Sequence, residues 1–263
     1  VKLAVSGKGG VGKSTVAGTL ARLCAADGRR VLAIDADPDA NLASALGLPR
    51  EARARIRTIA NERELIEERT GARVREFGQM FRLNPEVADI AERYAVRHAG
   101  VDLLVLGAVQ RAAGGCACPE SVLLKSLVTH LVLRRGDVVI LDMEAGIEHL
   151  GRGTARGVDL MLAVLEPGQR SLETARRVKA MSTDLGIGRF VVVLNKSNAP
   201  AEDCAWVAAE FGAECLLGVI PFDSRIAQAD RLSLALPDLG QEDLLAPFRK
   251  LQQAVFIAEG EHV

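Results

Sequence analysis

Seven short apolar runs recur along the chain, Lys2–Ser6, Arg30–Asp35, Val101–Leu106, Asp137–Asp142, Asp159–Leu165, Arg189–Asn195 and Cys215–Ile220, with longer segments between them. Each is rich in Val, Ile and Leu and lacks apolar–polar alternation, the pattern of a parallel strand covered on both faces. The intervening segments have room for crossover helices, and the first of them carries Val16, Leu20 and Leu23 at helical spacing. The pattern predicts an α/β fold, a doubly wound, mainly parallel sheet flanked by helices. Ligands of such sheets bind beyond the strand C-terminal ends. Five segments therefore converge on one edge: Gly7–Ser14, Asp35–Asp39, Gly107–Cys118, Asp142–His149 and Asn195. Between Arg50 and Gly71 the chain is charge-rich and helical in composition, and from Arg73 to Tyr94 it loses regularity around Asn84 and Pro85. That stretch is expected to be an excursion on the sheet's flank. No repeat or linker divides the chain, so a single domain over residues 1–263 is expected, with a frayed tail after Phe256.

The first strand runs into GKGGVGKST, Gly7 to Thr15, which satisfies G-x-x-x-x-G-K-[ST] through Gly7, Gly12, Lys13 and Ser14. The strand before it and the helix after it are the context this motif requires. Backbone N–H groups from Gly7, Gly9, Gly10, Val11, Gly12 and Thr15 can wrap a nucleotide's phosphates at the positive end of the helix, Lys13 reaches the terminal phosphates, and Ser14 can ligate magnesium. All those tasks are filled without Lys8, a second lysine directly after the first glycine. At the loop's outer lip it points away from its own nucleotide and toward one held by a second subunit. This arrangement resembles the deviant phosphate loop of the P-loop ATPase superfamily that includes the nitrogenase iron protein, the Min/Par proteins and the arsenite pumps.

After the second strand comes DADPDANLA, Asp35 to Ala43. Carboxylates at the mouth of a phosphate site either hold magnesium or position the attacking water. In the superfamily, the aspartate of the Asp-Pro pair orients or activates that water, and Asp37-Pro38 matches it. Asp35 closes the strand, while Asp39 fits either the magnesium shell or an ordinary Asp-rich turn. Asp142 ends another apolar run in the manner of the second magnesium motif. The following Met143–Gly153 is polar and contains Gly146, which suits a switch that senses the γ-phosphate. Glu144, Glu148 and His149 fit a metal site or a solvated switch loop equally well. An amide such as Asn195 can donate to and accept from an adenine edge. The superfamily resemblance supports that role, with Pro221–Asp223 packing round the base.

A formal net charge of −1 and an aromatic content of 3% argue against a polyanion-binding surface or a base-stacking platform, so no nucleic-acid partner is expected. No leading apolar segment resembles a secretory signal, and the apolar runs are too short to span a membrane, so a soluble, cytoplasmic protein with no membrane partner is expected. Five cysteines without an export signal read as reduced thiols. Cys24 falls on the apolar side of the first helix, and Cys204 and Cys215 are unclustered. Cys116 and Cys118 differ: they stand two apart in GGCACPE, within a loop at 114–119. One C-x-C supplies two thiolates where a closed tetrahedral site needs four ligands, so a twofold axis would complete it. Thiolate softness restricts its occupant to nickel, zinc, copper(I) or iron–sulfur species, and a pair of reduced thiols is the alternative.

GKGGVGKST, DADPDANLA, GGCACPE, LDMEAGIEHLGRGTARGVD and EPG at Glu166–Gly168, taken together, resemble the CooC-type nickel-insertion ATPases of carbon monoxide dehydrogenase maturation. The resemblance implies an ATPase that binds ATP or ADP with magnesium and forms a nucleotide- and metal-dependent homodimer. It also implies nickel or zinc at the cysteine pair and carbon monoxide dehydrogenase as client. Two other classes share parts of this pattern, an iron–sulfur electron carrier like the nitrogenase iron protein and a Min/Par-type positioning ATPase. The second lacks support from any basic stripe or terminal amphipathic helix.

Overall fold

Consecutive residues of the central strands are buried on opposite faces of one sheet. Leu160, Leu162 and Val164 pack with one apolar cluster, Met161, Ala163 and Leu165 with the other. A strand sandwiched in this way has no solvent face, which is why its sequence shows no alternation. The computed structural model describes residues 1–74, 76, 79–107, 119–133, 138–144 and 157–257.

Among the described residues eight strands form the sheet, in the order β3-β4-β2-β5-β1-β6-β7-β8. They are β1 (Lys2–Ser6), β2 (Val31–Ala36), β3 (Val96–His98), β4 (Val101–Val105), β5 (Val138–Met143), β6 (Leu160–Leu165), β7 (Phe190–Ser197) and β8 (Leu216–Pro221). Every pairing is parallel except that of β3 with β4. The seven expected strands are all present within a residue or two of their expected ends. The sequence pattern missed β3, a three-residue antiparallel edge strand whose residues are half-buried or exposed and carry no apolar run.

One face is covered by α1 (Lys13–Ala26), α9 (Ser224–Leu232) and α10 (Glu242–Ile257), which contributes Leu244, Leu245, Phe248, Leu251 and Val255 to that core. The other is covered by α4 (Arg63–Thr70), α5 (Ile90–Tyr94), α6 (Pro119–Leu133), α7 (Gln169–Leu185) and α8 (Pro200–Phe211). Two single-turn helices, α2 (Leu42–Ala45) and α3 (Arg50–Arg53), lead into the flanking excursion. There Leu65, Ile66, Val87, Ile90 and Tyr94 turn inward onto the second core. Val16, Leu20 and Leu23 of α1 are buried as their spacing predicts. Cys24 is buried beside them, with Gln252 Nε2 at 3.7 Å from its sulfur, and burial pushes its thiol up to about 11. Cys204 and Cys215 are partly buried against the second core. Among the described residues no helix is long and apolar enough to cross a membrane.

The chain runs outward from β1 on one side through β2 and β4, then returns and continues on the other through β6, β7 and β8. The direction reverses at β1, and the crevice for a ligand opens there.

Candidate nucleotide site

The turn after β1 demands glycine for two separate steric reasons. A Cβ on Gly7 would meet the Val164 carbonyl of β6 at 2.3 Å, so only a bare Cα lets the loop leave the sheet there. Gly12, the residue capping α1, has φ of 95°, and a Cβ there would meet Asn195 Nδ2 at 2.4 Å. From Gly12 the backbone enters α1, whose unpaired N–H groups and positive end face the crevice.

A cleft of about 390 Å³ opens above this turn. Its wall includes the loop from Gly9 to Thr15 except Val11, with Asp37, Asp39 and Asn41 after β2, Glu144 after β5, Asn195 and Lys196 at the end of β7, and Pro221 at the end of β8. The expected loop, aspartate segment, Asn195 and Pro221 are thus brought together. Val11 is buried beneath the loop, and the half-buried Lys8 immediately precedes the lining. Residues 108–118, with Cys116 and Cys118, and residues 145–156, with Gly146, Glu148 and His149, lie outside the described residues.

Lys13 is only 6% exposed, and its ammonium lies 3.3 Å from Asp37 Oδ2. Asp37 Oδ1 accepts the Asp39 N–H at 3.0 Å, so the carboxylate also organises its own turn. Asp39 is exposed at the rim. Neither Asp35 nor Asp142 lines the cleft, and the two Asp35 oxygens accept the N–H groups of Asp37 at 3.2 Å and Leu42 at 2.9 Å. Burial, then the neighbouring Asp142, pushes its carboxyl up to about 7 against those two hydrogen bonds.

Asp142 is fully buried, and among the described residues neither of its oxygens has a hydrogen-bond partner of ordinary geometry. Burial pushes it up to about 6, opposed by nearby Ser14 and Lys13 and reinforced by Asp37. Glu144, exposed at the cleft wall, is held through its main-chain carbonyl, which accepts from Ser6 Oγ at 3.0 Å.

Asn195, expected to face a base, holds the loop. Its Nδ2 donates to the Val11 carbonyl at 2.7 Å and its Oδ1 accepts the Lys196 N–H at 3.0 Å. One N–H and one lone pair remain for a ligand. The cleft also takes in Phe222, Ile226, Ala227 and Asp230, the last three from α9. Sequence reasoning missed that helix. Its one local signal was Asp223, which caps α9 by accepting the Arg225 N–H at 2.8 Å.

A glycine-walled turn at a helix N-terminus, a buried lysine and a buried acid supply the donors and acceptors that suit a polyphosphate with a divalent cation. The family model described as the CobQ/CobB/MinD/ParA nucleotide-binding domain matches residues 2–234. The chain belongs to this family. With the family's phosphate loop at the end of β1, the protein is a P-loop ATPase. Within the family it is 48% identical over 239 residues to the carbon monoxide dehydrogenase accessory protein CooC of Rhodospirillum rubrum, covering 91% of this chain and 90% of that one. It is 42% identical to an uncharacterised ATP-binding protein of Methanocaldococcus jannaschii, covering 88% and 89% of the two chains. The family fold extends to the septum site-determining protein MinD of Pyrococcus horikoshii, solved with Mg-ADP. The TM-score is 0.67 at 20% identity, over 98% of this chain and 97% of that one.

Proposed function

We propose that the protein is an ATP-dependent nickel chaperone that acts as a homodimer in the maturation of carbon monoxide dehydrogenase. The observation that carries this reading is the 48% identity to a carbon monoxide dehydrogenase accessory protein over about nine-tenths of both chains. The ATPase site supports it.

In this reading the N–H groups of Gly9 to Thr15 surround the β- and γ-phosphates. Lys13 exchanges its ion pair with Asp37 for the more highly charged phosphates, which frees Asp37 to orient the attacking water. Lys8 reaches the nucleotide of the partner subunit and adds positive charge where the transition state gathers negative charge. Asn195 offers its remaining N–H and lone pair to the base, with Pro221 at the rim. The oxygens of Asp142 fit a divalent cation, because they are buried acceptors that, among the described residues, make no hydrogen bond of ordinary geometry and have the Ser14 hydroxyl nearby. Ser14, Asp142 and, at the rim, Asp39 would hold magnesium, which when bound neutralises phosphate charge.

Cys116 and Cys118 from both subunits would bind nickel or zinc as cargo, a donor set suited to soft or borderline cations. Dimer closure over nucleotide and metal capture then use one interface and favour each other by reciprocal linkage. The test is a nickel and zinc titration combined with light scattering, with and without ADP or ATP. One metal per dimer, lost in Cys116→Ser, is expected. An unchanged metal titration in that variant rejects the site.

A further inference from the structure

We infer that Lys196, braced by Glu166, is a positioning residue that holds the phosphate loop open for its ligand before any nucleotide arrives. The inference rests on the reading of this cleft as a site for nucleotide phosphates and adds the residues that shape it.

A loop that turns its N–H groups inward must turn carbonyls outward, and those carbonyls need donors of their own. Two consecutive residues at the end of β7 supply them. Asn195 Nδ2 serves the Val11 carbonyl at 2.7 Å, and Lys196 Nζ serves the Gly10 carbonyl at 2.6 Å. The second is a charge-assisted bond at the lip between Lys8 and Lys13.

The strand is distorted to make it. Pairing of β7 with β8 shifts between Asn195 and Ser197, leaving Lys196 as the irregular residue, and its φ is 58°. A left-handed conformation is unfavourable for lysine and re-aims the side chain out of the strand's regular path. Here it is directed back over the turn after β1.

From the other side Glu166 Oε2 lies 3.5 Å from Lys196 Nζ. Glu166 begins the EPG segment after β6, and its own N–H donates to Ser171 Oγ at 3.1 Å, which fixes the turn. Glu166 does not line the cleft, so its contribution reaches a ligand only through Lys196 and the loop. The ends of β6 and β7 are thereby tied to the loop after β1.

The experiment uses the full chain and compares wild type with Lys196→Met, Lys196→Arg, Glu166→Gln and the Lys196→Met/Glu166→Gln double variant. Calorimetric titration with ADP and with adenosine is paired with amide hydrogen exchange over residues 7–15 in nucleotide-free protein. Lys196→Met should weaken ADP about tenfold, the scale of one charge-assisted hydrogen bond, and leave adenosine affinity unchanged. Exchange across the loop should accelerate without nucleotide, a change that loss of a direct ligand contact would not produce. Arginine should restore both readouts. Glu166→Gln should weaken ADP about threefold alone and add nothing in the double variant, as a shared pathway requires. Wild-type loop exchange in Lys196→Met, or an undiminished Glu166→Gln effect in the double variant, overturns the inference. Failure of wild-type protein to bind ADP would instead overturn the nucleotide reading.

Discussion

Strands β2 and β5 each carry a buried aspartate one residue before their C-terminal end, and the two stand opposite one another in register, Asp35 beside Asp142. Both are withdrawn from solvent, yet their surroundings differ in kind. Each Asp35 oxygen accepts a backbone N–H, and together those bonds pin the segment from Asp37 to Leu42 onto the sheet. Among the described residues Asp142 has no such partner on either oxygen. A buried polar group left unpaired is costly, so where one persists beside a phosphate loop it marks a position kept for a ligand. By this contrast Asp35 belongs to the architecture of the loop carrying Asp37, and Asp142 belongs to the chemistry.

Exchanging the properties of these two acids is the sharpest way to break the contrast, and the largest effect should fall on Asp142. Asp142→Asn should lower magnesium-dependent ATP turnover by about a hundredfold or more, comparable to losing one preorganised electrostatic group. The folded apoprotein should be no less stable, since the change removes a buried charge and, among the described residues, breaks no hydrogen bond of ordinary geometry. Steady-state kinetics and urea melts of one preparation measure both, and turnover within about threefold of wild type would undo the assignment. Asp35→Ala should show the reverse balance. It strands the Asp37 and Leu42 N–H groups and should cost about 2–3 kcal/mol in folding free energy, reduced by relief of the buried charge. A melt unchanged from wild type would mean that this segment is held by other contacts.

A smaller effect tests the lip of the loop. Lys8→Ala should leave ADP affinity within about twofold of wild type while slowing turnover about tenfold, because a charge supplied to the partner's nucleotide acts mainly in the transition state. Full activity in the variant would remove the cross-subunit role.

The phosphate loop was legible because its requirements are local: two backbone positions that exclude a Cβ, a lysine and a hydroxyl at fixed spacing. The seven long strands were legible because burial on both faces leaves an uninterrupted apolar run. β3 was not, since a short edge strand with Arg97 exposed at its centre carries neither signal. Of the excursion before it, only Arg50–Gly71 was visible as helical composition; Arg73–Tyr94 read as irregular, and the short helix Ile90–Tyr94 and the inward turn of Val87, Ile90 and Tyr94 depend on packing with the second core. Asn195 shows a different limit. Its amide chemistry suggested a ligand, and only the fold reveals that the Val11 carbonyl lies within reach. The cleft residues Ile226, Ala227 and Asp230 sit on an amphipathic helix, and nothing in its period distinguishes a wall of the cleft from an ordinary surface.

The least of the expected effects is a dependence of apoprotein stability on pH. The carboxyls of Asp35 and Asp142 are pushed up to about 7 and about 6, both above the ordinary 3.8 of an aspartic acid. Between about pH 4 and pH 7 the folded state therefore holds protons that the unfolded state has released. Stability should fall as pH rises through that window and level off above it. The acids Asp89, Glu210, Asp223 and Asp243 are shifted down by their arginine partners, so their contributions are full above the ordinary carboxylate range and are lost as pH falls through it, opposite in sign and confined to the acid edge of the window. With solvent relaxation reducing the effect, a loss of about 2 kcal/mol between pH 4.5 and pH 7.5 is expected in urea melts with a chelator present. Asp142→Asn should remove the part lost by about pH 6 and leave the part that Asp35 contributes up to about pH 7. A difference between wild type and variant that does not change with pH would mean that Asp142 is charged throughout. The buried acid would then be stabilised by a partner other than those the fold places around it.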